Sequence, residues 1–94
     1  MNWNKIVEEL QSGKVVQCRP KGNSMQGKIE SGQLVTISPD TNVEKGDIVF
    51  CKVNGHFYIH LISAVRGEQY QISNNKNHVN GWTTKIFGKV TKVE

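Results

Sequence analysis

The dipeptide Asn54-Gly55 limits the fold of this chain more than any other feature. A two-residue type I′ turn needs positive φ at both central residues, and Asn-Gly is the pair that adopts it with least strain. Apolar-rich runs flank it, Ile48 to Val53 before and Phe57 to Val65 after, so the segment reads as a β-hairpin. A two-residue loop also sets the register: Val53 opposes His56, Lys52 opposes Phe57, and Val49 opposes His60. Cross-strand partners share a face, and faces alternate along each strand. Lys52 and His60 are therefore expected on opposite faces.

The rest of the chain fits around that hairpin. Trp3, Ile6, Val7 and Leu10 recur at i, i+3, i+4 and i+7, which predicts one amphipathic helix over residues 2–12. Asn2 is its expected N-cap and Gly13 its stop. Short strands are expected at Val15–Cys18, ended by Pro20, at Gln33–Ser38, at Tyr70–Ile72 and at Lys85–Val93. Pro39-Asp40-Thr41-Asn42 reads as a turn, and Ser73 to Gly81 as a polar loop. No repeat, linker or low-complexity segment divides the chain. One domain over 1–94 is expected, with an N-terminal helix (1–13) and a β domain (14–94).

Composition narrows the function classes. Twelve Lys+Arg against eight Asp+Glu give a net charge of +4, but the basic residues are scattered and read as a solvated surface. No basic-plus-aromatic stripe supports nucleic-acid binding, and too few residues precede Ser24 for a helix-turn-helix. Cys18 and Cys51 have no metal-ligand spacing and form no C-x-x-C. Buried reduced thiols are the simpler reading, with a disulfide open if they meet in space. No apolar stretch approaches the ~20 residues that span a bilayer, and no signal peptide is visible. A soluble cytoplasmic protein without metal or organic cofactor is expected.

The segment with chemical content is Gly22-Asn23-Ser24-Met25-Gln26-Gly27-Lys28-Ile29-Glu30-Ser31-Gly32. A serine beside small residues projects from a loop while backbone amides approach a substrate carbonyl. Gly22 allows that approach, the Asn23–Met25 amides are candidate oxyanion donors, and Met25 is an apolar anchor. The alternative is a serine that makes only a turn hydrogen bond.

This segment resembles the G-x-S-M-x-P-x-I-x-x-G-D box of the serine proteases that include the signal peptidases and the LexA-like self-cleaving proteins. Gly27 stands in place of the box's proline, and Gln33 in place of its aspartate. Three further segments follow in the family's order. Lys45-Gly46-Asp47-Ile48-Val49 is similar to "kGDiV", and Tyr70 to Asn75 resembles the segment ending in G-D-N-N. Ile86-Phe87-Gly88-Lys89-Val90 resembles the closing "v-x-G-k-V". Repressor-like and bacterial members carry a lysine base, whereas archaeal and ER signal peptidases carry a histidine. In this chain Tyr58-Ile59-His60-Leu61-Ile62 has histidine at that place.

The resemblance implies a mainly β fold, with coiled sheets forming a partly open barrel and the helix packed on its side. It also implies Ser24 as nucleophile and His60 as general base. A serine hydroxyl needs a base to take its proton, and histidine titrates near neutrality. Lys52, on the other face, is disfavoured as the base. His56 and His78 read as solvated residues of a turn and a loop. The family's supporting aspartate is missing: the matching loop holds Asn74, Asn75 and Asn80, of which Asn74 or Asn80 is expected to orient His60. No Ala-Gly or Cys-Gly bond is present for self-cleavage. Two functions stay open. One is a Ser24/His60 peptidase acting on an extended peptide or protein. The other is an inactive descendant that binds such a peptide, or forms a homodimer, through a sheet edge.

Overall fold

The computed structural model describes all 94 residues. Helix α1 (Trp3–Gln11) is followed by seven strands: β1 (Val16–Cys18), β2 (Val35–Ser38), β3 (Ile48–Val53), β4 (His56–Arg66), β5 (Gln69–Ser73), β6 (Val79–Thr83) and β7 (Ile86–Val93). They form one antiparallel sheet in the order β1-β2-β7-β3-β4-β5-β6. The architecture is mainly β with one short N-terminal helix, as expected. It is a single sheet whose end strands, β1 and β6, do not pair with each other. It nevertheless curls: Thr83 Oγ1 at the end of β6 donates to the Lys52 carbonyl of β3 at 2.6 Å.

Local chemistry sets the elements. Asn2 Oδ1 accepts from the Lys5 amide at 3.1 Å and caps α1. Asn54 (φ 48°) and Gly55 (φ 84°) both take left-handed backbone, and the expected register follows, with Val49 opposite His60 and Lys52 opposite Phe57. The expected polar loop over 73–81 is corrected: Ser73 closes β5, only 74–78 is irregular, and Val79–Thr83 pairs with β5. Strand β6 lies at the sheet edge and is held by backbone pairing, so its Asn and Gly carry no apolar alternation to announce it.

Each face of the curled sheet covers a core. On one face α1 (Ile6, Leu10) and the Ser24 loop (Met25, Ile29) pack on Val35, Ile37, Phe50 and Ile59. On the other, Val49, Cys51, Val53, Ile62 and Ile72 pack together. Strand β3 alternates between the two, so it is buried on both sides. Strand β7 crosses close to its neighbours at Gly88, where a Cβ would stand 2.5 Å from the Ser38 carbonyl oxygen and 2.8 Å from Ile37 Cγ2.

Cys18 and Cys51 are free thiols. They lie on β1 and β3, three strand spacings apart in the sheet order, or about 14 Å, beyond disulfide reach.

Candidate active site

Ser24 opens a single helical turn, in which the Lys28 and Ile29 amides both donate to the Met25 carbonyl (2.9 and 2.8 Å). Met25 and Ile29 are buried in the first core, 5% and 4% exposed, and they pin this turn to the sheet while Ser24 stays exposed. A second clamp comes from the β5–β6 turn. The Asn75 amide donates to the Ser24 carbonyl at 2.9 Å, and Asn75 Nδ2 donates to the Gln26 carbonyl at 2.8 Å. Gly27 has φ +97°, and a Cβ there would stand 3.1 Å from Asn75 Nδ2. The proline of the resembling box cannot adopt that φ, so this loop follows its own path, with Gly27 and Asn75 as its two halves.

Ser24 and His60 meet. The Ser24 hydroxyl lies 3.0 Å from His60 Nε2, and His60 Nδ1 lies 2.7 Å from Asn80 Oδ1. Because Asn80 Oδ1 is an acceptor, Nδ1 carries the proton and donates to it. Nε2 is then left to accept from Ser24. Asn74, the other candidate for orienting the ring, holds its own turn instead: its Oδ1 accepts from the Lys76 and His78 amides (2.8 and 2.9 Å). His56 and His78 are exposed, as expected. Lys52 stands on the face opposite His60, with Nζ 4.8 Å above the Phe57 ring.

His60 is 6% exposed. Burial pushes its imidazole below the ordinary 6.5; the hydrogen bond to Asn80 works the other way, and the charge of His78 adds to the lowering. The ring is therefore neutral at pH 7, the state a general base requires.

Around the pair lies a cleft of about 400 Å³, with an apolar wall of Trp3 and Phe57 and a polar end of Asn74 and Asn80. Gly22 (φ +119°) borders it with nothing within 4 Å of where a Cβ would stand. Its amide donates to Ser31 Oγ at 3.1 Å. The amides of Asn23, Ser24 and Met25 donate to no protein acceptor.

One side of β4 also borders the cleft. Pairing with β5 begins at Leu61, so His56–His60 is bonded to β3 alone. The Ile62 amide and carbonyl both bond toward β3. By alternation the backbone groups of Phe57 and Ile59 face the cleft.

The residue that sequence reasoning passed over as a site residue is Asn75. The only signal for it was its place in the segment resembling G-D-N-N. The donor set shows no cluster of His, Cys, Asp and Glu fit for a metal. No helix is long and apolar enough to cross a membrane. A family model described as Peptidase S24-like matches residues 2–91. No curated protein matches the chain.

Proposed function

The chain belongs to the S24-like peptidase family, and from that premise we propose that it is a serine peptidase in which Ser24, His60 and Asn80 act as a hydrogen-bonded triad. The observation that carries this reading is the continuous relay from Ser24 Oγ through both ring nitrogens of His60 to Asn80 Oδ1, at 3.0 and 2.7 Å. The 3.0 Å contact between Ser24 and His60 is within reach for proton transfer, while the 2.7 Å contact to Asn80 orients the ring and carries no proton across.

The substrate is an extended peptide or protein segment lying along the open edge of β4, where the Phe57 and Ile59 backbone groups supply ladder hydrogen bonds. Ser24 Oγ attacks the scissile carbonyl carbon as His60 Nε2 takes its proton. The oxyanion receives hydrogen bonds from amides of the Asn23–Met25 segment. His60 then gives the proton to the leaving nitrogen as the C–N bond breaks. A water, deprotonated by the same imidazole, hydrolyses the acyl-enzyme and restores Ser24. Asn80 holds the tautomer throughout, leaving the Nε2 lone pair toward Ser24. Two free thiols suit a reducing compartment such as the cytoplasm.

The test is hydrolysis of a mixed peptide library by wild type, Ser24→Ala and His60→Ala. Cleavage by wild type, with a loss of at least about 10²-fold in each variant, is the expected result. One observation favours a second reading, a peptide-binding module: an amide stands where a carboxylate would support the imidazolium. Library peptides retained equally by wild type and Ser24→Ala, with no hydrolysis by either, would establish it.

A further inference from the structure

When His60 accepts the Ser24 proton it becomes a cation in a buried position. No carboxylate lies within 4.0 Å of it, because both ion pairs of the molecule, Lys89–Asp47 and Lys92–Glu94, lie elsewhere. Asn80 offers only a neutral oxygen. The group that covers the face of the imidazole is Tyr58, two residues away on the same face of β4. The ring centroids are 4.8 Å apart and the planes 29° from parallel. An aromatic face carries negative electrostatic potential, and a cation within about 6 Å of its centroid is stabilised, more so when water is excluded.

We propose that Tyr58 is a positioning residue of this site, whose ring face stabilises the imidazolium of His60 as a carboxylate at Nδ1 would. This rests on the Ser24–His60 reading for its catalytic meaning. The proton path is unchanged: from Ser24 Oγ to His60 Nε2 to the leaving nitrogen, with Tyr58 neither giving nor taking a proton.

Other titratable groups bear on the same ring. His78, in the β5–β6 turn, opposes the positive charge of His60 when it is itself charged. Lys21 and Glu30 border the cleft from the nucleophile loop with opposite signs. His56 lies beyond Tyr58, 6.4 Å from its ring. Cys51, opposite Tyr58 on β3, stays a neutral thiol because burial pushes it up to about 12. None of these covers the ring face.

The experiment is an NMR titration of the His60 imidazole in wild type, in Tyr58→Phe, and in a series with mono-, di- and trifluorinated phenylalanine at 58. Fluorination drains the ring's negative face and leaves its shape nearly unchanged. The expected result is a His60 pKa held in Tyr58→Phe and falling stepwise along the series, by about half a unit to one unit in all. A pKa that stays flat across the series, with the sheet's amide spectrum unaltered, would overturn the proposal, since mere packing is indifferent to fluorination. The titration needs no turnover. A stepwise fall in a protein that cleaves nothing would uphold the stacking interaction and remove the peptidase reading instead.

Discussion

Two influences pull the proton affinity of His60 in different directions. Burial lowers it and the Asn80 oxygen raises it. Because the base must be neutral, kcat/KM should hold as pH falls to 6.5 and decline only below it. A pH–rate profile with its acid limb centred above 6.5 would contradict this. Asn80→Asp places a charge beside Nδ1, so it should raise the His60 pKa and move that limb upward, and Asn80→Ala should move it down; imidazole NMR on the variants gives the sign directly. The same shift has a consequence for folding. The unfolded chain binds the proton at 6.5 and the folded chain at a lower pH. Stability attributable to this group is therefore intact above 6.5 and is lost as pH drops from there to the folded pKa. Urea denaturation at pH 7.5 and pH 5 should show a smaller acid loss in His60→Gln than in wild type. Ser24 and His60 were legible from neighbouring residues and segment order. The choice of Asn80 over Asn74 was not: both are amides in one polar stretch, and the two are told apart only by the register shift in the β5–β6 pairing, which leaves Asn80 without a cross-strand partner and at the ring, while Asn74 caps its own turn.

At the scale of elements, the hairpin was the most legible part of the fold because Asn54-Gly55 leaves its flanking strands one register. The path of the Ser24 loop was illegible, because it depends on Asn75, forty-nine positions from Gln26. This makes a counterintuitive expectation: Gly27→Pro, which restores the residue of the family's box, should damage the site. Proline cannot take φ +97°, so the variant should lose peptide hydrolysis, and Asn75→Ala should lower kcat more than it raises KM. Higher activity in Gly27→Pro would show that the loop is free to take the family's path. Strand β7 offers a second case. Gly88→Ala sets a methyl against the Ser38 carbonyl and Ile37, and overpacking of that kind costs about 1–3 kcal/mol. Urea midpoints of the two proteins should differ accordingly, with unchanged slope.

Across the whole molecule, two cores on the faces of one curled sheet divide the thiols. Cys51 lies in the second core, its thiol pushed up to about 12 by burial, while Cys18 is half-buried on the edge strand β1. A thiol-reactive reagent on the native protein should therefore modify Cys18 first and Cys51 only after denaturation, as peptide mass spectrometry can read; simultaneous labelling of both would mean the second core opens readily. The mainly β architecture was legible from strand-sized runs and turn residues, but the closeness of β6 to β3 was not, since curl arises from the sheet as a whole. The strand order itself reaches further. Strand β7 lies between β2 and β3, so the last strand of this sheet in chain order is the seam between the half that bears Ser24 and the half that bears His60 and Asn80. A growing chain lacking that seam leaves β2 and β3 without the strand to which both pair. The meeting of Ser24 with His60 is thus expected to be secured late in folding, when this seam closes between its two neighbours.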